Sequence, residues 1–200
     1  MLIDVAVVAV VAGWIFRGSL ASLAELEVRR LLLVLLCAAM QYGGQYAAGA
    51  GWISLDGWGA LVYSGILVLL LSVLWLNRRH PALLLMTLGI CLNFLVAATN
   101  GGPMPVSADG LIRAGLSGYV QPLAAGEVAT HQLLNDHTRF PFLAEIFVLP
   151  EPYPRASVFS LGDAVLAAGA FWLIVGGMTA HPSVTGKRRA LEVRRLTFGP

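Results

Sequence analysis

One carboxylate lies within a long apolar run near the end of the chain. The stretch "VFSLGDAVLAAG", residues 158–169, opens a run that continues to Met178 and contains Asp163. The structural interpretation of this aspartate is a capping box with Ser160, three residues earlier, in which each side chain bonds the other residue's backbone N–H. A carboxylate at the positive end of a helix is stabilised by roughly 0.3–1 kcal/mol. The functional interpretation is that Asp163 belongs to a polar site.

Several further polar residues are placed to share such a site with Asp163. Gln41 and Gln45 are one helical turn apart, while Asn93 and Asn100 lie in and just after another apolar run. We expect either an outward-facing polar pocket or a cluster that only holds helices together. The predicted members besides Asp163 are Gln41, Gln45, Asn93, Asn100 and Arg139. The other halves of the apolar runs contain almost no polar residues, which disfavours a conduction path through the protein. A small-molecule transporter is therefore only the second alternative.

The stretch "HQLLNDHTR" holds His131, Asp136, His137 and Arg139, but it does not have the spacing of a metal site. The two histidines are six positions apart, which is neither one helical turn nor a standard zinc pattern. The chain has no P-loop, GxGxxG, GxSxG or HExxH motif. We therefore predict neither a metal nor a cofactor.

The elements that must position these residues are membrane helices. The chain is 58% hydrophobic and 12% charged, whereas soluble domains carry about 25% charged residues. Apolar runs must be helices in lipid because a lone strand leaves its backbone unpaired. We predict an all-α, polytopic bundle forming one membrane domain over residues 1–200. Its five transmembrane helices are expected at residues 2–16, 31–48, 58–76, 81–98 and 161–178.

The positions of the basic residues predict the orientation. Of the 13 Lys and Arg residues, ten fall in alternate connections and in the tail. These are Arg17, Arg29, Arg30, Arg78, Arg79, Lys187, Arg188, Arg189, Arg194 and Arg195. The positive-inside rule then places the N-terminus outside and the C-terminus inside, as expected for a multi-pass protein of the cytoplasmic membrane. The basic tail, residues 181–200, is cytoplasmic, which argues against a nucleic-acid partner.

Residues 99–157 form the predicted outer loop, which is too long to be a simple connection. It opens with "NGGPMPV", a turn signal, and closes with "FPFLAEIFVLPEPYP", whose apolar part is too short to span. We expect a structured loop that packs over the polar ends of the helices.

Three segments resemble a family of uncharacterised small bacterial membrane proteins. They are "NGGPMPV", "NDHTRFPFLAEIFVLP" and "VFSLGDAVLAAGAFWLIV", and the likeness runs from about Asn93 to Val175. The resemblance implies an integral membrane protein and carries no established activity.

The C-terminal part is similar to lipoprotein signal peptidases, which are membrane aspartyl proteases. "FSLGD" ends in Asp163, with Gly169 six residues on, and "LAEIF" places Glu145 in the middle segment of that family. "NDHTR" matches the first motif except that Thr138 stands where the family has an aspartate, so Asp136 would have to replace it. The resemblance implies Asp163, Asp136 and Glu145 as catalytic residues.

The sequence favours a binding or assembly module over an enzyme. Its expected partners are the lipid bilayer and a membrane or extracytoplasmic protein that the outer loop contacts. The alternative is an intramembrane aspartyl hydrolase that uses Asp163 with Asp136 or Glu145, because such chemistry needs two carboxyl groups sharing a proton.

Overall fold

The computed structural model describes most of the chain. The described residues are 2–26, 33, 36–37, 39–40, 43–44, 46–47, 51–52, 58–128, 130–153 and 155–180. Half of the residues of the predicted span 31–48 and all of the predicted tail 181–200 lie outside them, so both stay predictions.

Seven helices of the described residues are named here in chain order. They are α1 (Leu2–Ile15), α2 (Leu20–Ala24), α3 (Trp58–Leu76), α4 (Pro81–Thr99), α5 (Ala108–Arg113), α6 (Val120–Ala124) and α7 (Leu161–Thr179). Short 3-10 turns cover Ser117–Tyr119 and Pro141–Leu143. Helices α1, α3, α4 and α7 match the bounds of four predicted spans to within one residue. Pro81 occupies the first turn of α4, where its missing N–H costs little.

The chain is mostly helical, but the predicted all-α class is wrong because the segment between α4 and α7 contains strands. They are β1 (Met104–Val106), β2 (His131–Leu133), β3 (Phe147–Leu149) and β4 (Ser157–Phe159). Strands β1 and β2 pair in parallel, whereas β3 and β4 pair antiparallel. This long segment folds on itself, and strand pairing satisfies its backbone groups. Strands of three residues are too short to show an alternating pattern.

Two helices, α4 and α7, are long and apolar enough to cross a membrane. Only 22% of the apolar window of α4 and 28% of that of α7 is buried, so most residues of both helices are at least partly exposed. Helix α1 and residues 65–76 are shorter apolar helical segments. The described residues therefore support two spans rather than the predicted five.

Helices α4 and α7 approach closely because glycines lie at their contact. A Cβ atom on Gly89 would lie 2.6 Å from the backbone nitrogen of Leu166, and one on Gly169 would lie 2.6 Å from Cγ of Met86. Both distances are far below van der Waals contact, so a larger residue would push the helices apart. Since residue 89 faces 166 and residue 86 faces 169, the two helices are antiparallel.

Residues 100–159, which connect α4 to α7, form a folded segment that we call the cap. Its core is built from Val106, Leu111 and Leu123, which are buried together. Five partly buried residues pack against them: Leu116, Val120, Val128, Leu133 and Val158. The cap therefore has a hydrophobic core of its own and holds its polar residues in fixed positions.

A second compact unit comprises residues 2–26 with residues 170–180, and the other described residues form the first unit. Within the second unit, the backbone N–H of Ser19 donates to the carbonyl of Met178 at 2.9 Å. The side chain of Met178 faces Gly13, where a Cβ atom would clash with it. The end of α1 thus packs against the end of α7. The expectation of a single domain over residues 1–200 stays a prediction.

Candidate functional site

The start of α7 is fixed by the predicted capping box. The backbone N–H of Asp163 donates to Oγ of Ser160 at 2.9 Å, and the N–H of Ser160 donates to Oδ2 of Asp163 at 3.0 Å. Two N–H groups without intrahelical partners are satisfied reciprocally. The capping-box prediction is confirmed.

Asn93 on α4 extends this capping box into a link between two helices. Its Nδ2 donates to Oδ1 of Asp163 at 2.7 Å, and the hydroxyl of Ser160 donates to its Oδ1 at 2.7 Å. Ser160 is fully buried, with 0% of its surface exposed. Each polar atom of this group that the helix leaves unpaired has a partner, which is the condition for burying it at low cost.

A glycine makes room for Asn93 against α7. A Cβ atom at Gly162 would overlap the Asn93 side chain and would lie 2.8 Å from the carbonyl oxygen of Gly89. Asn93 is six residues before Thr99, the last residue of α4, so it lies about 9 Å inward from that helix end at 1.5 Å per residue. The Asn93–Asp163 pair is therefore recessed between the helices.

The cap contributes a second acidic group, Glu145, whose charge interacts with that of Asp163. Glu145 is held by its backbone: its N–H donates to Pro105 at 3.0 Å and its carbonyl accepts from Ser107 at 2.9 Å. Its Oε1 lies 3.3 Å from Nε2 of His131, the first residue of β2. The Glu145 side chain is 16% exposed and that of His131 is 38% exposed. The Nδ1 of His131 lies 2.9 Å from the hydroxyl of Thr130.

Both members of this ion pair titrate above their ordinary values. Burial raises the pKa of Glu145, and this outweighs the opposing effect of His131, while the negative charge of Asp163 raises it further. Burial alone would lower the pKa of His131, but the hydrogen bond to Glu145 and the charges of Glu145 and Asp163 raise it overall. The charge of Asp163 thus acts on both groups. We call Asn93, His131, Glu145, Ser160 and Asp163 the carboxylate cluster.

The carboxylate cluster has two acidic groups, but each has separate hydrogen-bond partners. Asp163 accepts from Asn93 and Ser160, whereas Glu145 bonds His131. No hydrogen bond joins the two carboxyl groups within the described residues. A shared proton, which aspartyl hydrolysis requires, would need a hydrogen bond between them. In the geometry seen here, Asn93 joins α4 to the start of α7, and Glu145 pairs with His131 within the cap.

A second polar feature lies at the end of α4. It is an open depression with a volume of about 340 Å³. Its lining residues are Thr99, Asn100, Gln132, Asn135, His137, Thr138 and Arg139. We call this feature the Arg139 depression.

Asn100 holds the rim of the Arg139 depression in place. Its Oδ1 accepts from the backbone N–H of Arg139 at 2.8 Å, and its Nδ2 donates to the carbonyl of Arg139 at 2.9 Å. Gln132 in turn donates to the carbonyl of Asn100 at 2.7 Å. The next residue, Phe140, has φ 54° and ψ 53°, a left-handed conformation that costs a non-glycine residue roughly 1–2 kcal/mol. Strain of this kind next to an open depression is typical of binding loops.

Comparison with protein families gives one match. A family model matches residues 25–175, which is more than half of the chain. The chain belongs to DUF5317, a family of unknown function. The DUF5317 match contains both polar features and leaves α1 outside. Comparison with curated proteins and with solved structures gives no significant match.

Within this DUF5317 member, the predicted site residues fall into separate groups. Asn93, Glu145 and Asp163 come together in the carboxylate cluster, while Asn100 and Arg139 meet at the depression. Asp136 is exposed in a turn, and no contact joins it to Asp163 within the described residues. Gln41 and Gln45 lie outside the described residues. Among the described residues, the predicted polar residues make two separate hydrogen-bonded groups, because the side chain of Asn100 bonds the backbone of Arg139.

Two of the hydrogen-bonding members, His131 and Gln132, are not among the predicted site residues. The sequence presents His131 only as a possible metal ligand, whose spacing does not fit a metal site. Among the described residues, no group of three or more His, Cys, Asp or Glu could hold a metal ion. Both residues lie in a strand of three residues whose partner is about 27 positions away in sequence. The only sequence signal was the occurrence of two polar residues before the apolar pair Leu133–Leu134.

Proposed function

We propose that this DUF5317 member is a multi-pass protein of the bacterial cytoplasmic membrane and that its cap is a binding module on the outer side. The exposed apolar surface of α4 and α7 supports the membrane assignment. It includes Leu84, Leu88, Phe94 and Trp172, each about half exposed. Soluble monomers rarely expose contiguous apolar patches above a few hundred Å², so lipid is the surrounding that this surface fits.

The proposed topology has five spans, with the N-terminus outside and the C-terminus inside. It is supported by the positions of the basic residues, which flank the same ends of the proposed spans. Within the second unit, the end of α1, followed by Arg17, packs against the end of α7, which precedes the basic tail. Within the first unit, α4 and α7 are antiparallel, as an inward-to-outward span and its return require.

The observation that carries the binding function is the Arg139 depression. Small-molecule sites have volumes of roughly 300–1,000 Å³, and this depression has about 340 Å³. Its rim is fixed by two hydrogen bonds between the Asn100 side chain and the Arg139 backbone, so the depression exists before any ligand arrives. A preformed polar concavity lowers the entropic cost of binding.

The test is native mass spectrometry of the full chain purified in detergent. We expect a co-purified molecule to remain bound to the wild type and to be lost from Asn100→Ala, which removes the support of the rim. Gln121→Ala, an exposed cap position away from the depression, is the control and should keep the molecule. A wild type with no bound molecule, or equal retention by all three proteins, contradicts a binding role for the depression.

An intramembrane aspartyl hydrolase is the second candidate, and one observation favours it. The pKa of Glu145 is raised beside Asp163, and aspartyl chemistry pairs a protonated carboxyl group with an ionised one. This candidate uses Glu145 and Asp163, because Asp136 lies in an exposed turn. It requires a substrate-bound geometry in which the two carboxyl groups meet.

The two candidates differ in their response to Asp163→Asn. A hydrolase should lose all processing of its membrane-anchored substrate in cells, while Asp136→Asn, the matched control, should leave processing intact. If processing in Asp163→Asn equals that of the wild type, the hydrolase is excluded.

A further inference from the structure

We propose that the Arg139 depression binds the phosphate group of a phosphate ester, with Arg139 as its anchor. This inference rests on the proposed binding function of the cap and names the chemical class of the ligand. It follows from the charge of the lining residues, from the unpaired cation among them and from the location of the depression.

The lining residues favour an anion. They include Arg139 and His137, and none of them is a carboxylate. The neighbouring Asp136 is not part of the lining, and Glu145 is bonded to His131. A concavity lined by one sign of charge concentrates ligands of the opposite sign.

Arg139 is available to a ligand. Its structural hydrogen bonds are made by its backbone, through Asn100, and the residue is exposed. Within the described part of the chain, no carboxylate forms an ion pair with its guanidinium. A guanidinium carries a planar set of donors that fits two phosphate oxygens at once. The residue is thus held in place while its side chain stays uncommitted.

A second donor lies beside Arg139. The hydroxyl of Thr138 accepts from the backbone N–H of Asn135 at 2.9 Å, so its proton is left to donate. A phosphate group, with several acceptor oxygens, can use the guanidinium and this hydroxyl together. A carboxylate has only two acceptor oxygens, so it can use fewer of these donors at the same time.

The depression lies where a span would end, beside exposed aromatic residues. Phe140 and Phe142 follow Arg139 and meet edge to face, with ring centroids 6.3 Å apart. Phe142 is 61% exposed. Exposed aromatic residues at span ends are characteristic of the lipid–water boundary. The phosphate can therefore belong to a phospholipid headgroup or to a soluble phosphate ester, since the chemistry recognised is the same.

The test uses the full chain in dodecyl maltoside, a detergent without phosphate. Glycerol 3-phosphate and succinate are titrated by calorimetry, and retention of phosphatidylglycerol is measured by native mass spectrometry. The variant is Arg139→Gln. The control is Arg113→Gln, which removes an equal charge from an exposed position whose ion pair with Asp109 contributes little to stability. Because the Arg139 side chain makes no structural bond to the described residues, the variant should keep the fold.

We expect the wild type and Arg113→Gln to bind a phosphate compound, and Arg139→Gln to bind it at least about tenfold more weakly, as loss of charged hydrogen bonds predicts. Binding of glycerol 3-phosphate identifies a soluble ester, and retention of phosphatidylglycerol alone identifies a lipid. The inference is overturned if neither phosphate compound binds, if succinate binds as tightly, or if Arg139→Gln equals the wild type.

Failure of this inference can be told apart from failure of the proposed function. A co-purified molecule that lacks phosphorus and is lost from Asn100→Ala overturns the phosphate assignment and leaves the binding role. Absence of any bound molecule, together with no binding in either measurement, overturns both.

Discussion

The side-chain amide of Asn93 donates a hydrogen bond of 2.7 Å to Asp163, which lies 70 residues later in the chain. This bond joins the C-terminal half of α4 to the first turn of α7. It makes a capping carboxylate into a tertiary contact, so the local stability of α7 and the packing of two helices depend on the same side chain.

Asn93→Ala should therefore lower the free energy of unfolding by more than the loss of a single hydrogen bond would. Oδ1 of Asp163 and the hydroxyl of Ser160 both lose their partner, and leaving buried polar groups unpaired costs about 1–3 kcal/mol. The free energy of unfolding in detergent measures the loss. Cys91→Ala, at an exposed position of the same helix, is the control and should change it by less than about 0.5 kcal/mol. Equal stabilities would show that the pair does not form.

Two glycines of α7 should respond to alanine with opposite signs. At Gly162 a Cβ atom would overlap Asn93, so Gly162→Ala should destabilise by about 1–3 kcal/mol through overpacking. At Gly176 the nearest neighbour of a Cβ atom is Trp172 at 3.6 Å, an ordinary contact. Gly176→Ala should therefore stabilise by about 0.5–1 kcal/mol, because the unfolded chain loses freedom. Thermal unfolding of both variants tests the helix contact, and a shift in the same direction would contradict it.

The stability that Glu145 and His131 contribute should fall as pH rises, because the pKa values of both groups are raised. Each group takes up protons on folding, so its contribution is complete below its ordinary pKa, 4.5 for Glu145 and 6.5 for His131, and is lost as pH rises through the raised value. The measured quantity is the difference in unfolding free energy between the wild type and Glu145→Gln across this range. The wild type should lose stability relative to the variant.

The double variant His131→Gln with Glu145→Gln is the control for that pH dependence. This variant lacks both groups, so its free energy of unfolding should change less with pH than that of the wild type over the same range. A wild type that gains stability relative to Glu145→Gln as pH rises would mean that the pair is not buried as described.

Asn100→Ala should loosen the Arg139 depression without unfolding the cap. The backbone N–H of Arg139 loses its acceptor. Phe140, whose backbone is in the left-handed conformation, loses the hydrogen bonds that hold the residue before it. Hydrogen exchange of a peptide covering residues 135–143 should become at least about tenfold faster, since local opening is governed by local hydrogen bonds. A peptide covering β3 and β4 is the internal control and should be unchanged. Unaltered exchange at Arg139 would show that the hydrogen bonds between Asn100 and Arg139 do not stabilise this segment.

The helices were predictable because their signals are local. An apolar run, Pro81 at one start and the Ser160–Asp163 capping box at another set the bounds of α4 and α7 to within one residue. The strands were not predictable from pattern, since three residues cannot show a period and β1 pairs with a strand about 27 positions away. Their pairing is decided by the tertiary structure of the cap.

The candidate site was predictable only in part, because most of its contacts join residues that are far apart in sequence. Ser160 and Asp163, which form the capping box, lie within four residues, so their spacing predicts the contact. The partner of Asp163 is Asn93 in α4, 70 residues away, and the partner of Arg139 is Asn100, 39 residues away and directly after α4. Sequence alone could not distinguish Glu145, which joins the carboxylate cluster, from Asp136, which lies in an exposed turn.

The proposed orientation and the outward-facing site are tested most directly by determining on which side of the membrane the cap lies. In a background with Cys37→Ser and Cys91→Ser, single cysteines are placed at Tyr119, an exposed cap residue, and at Arg79, in the turn between α3 and α4. Intact cells are then treated with a membrane-impermeant maleimide. We expect labelling at position 119 in intact cells and at position 79 only after permeabilisation. Labelling at position 79 in intact cells, with position 119 protected, would contradict both the orientation and the outward-facing site.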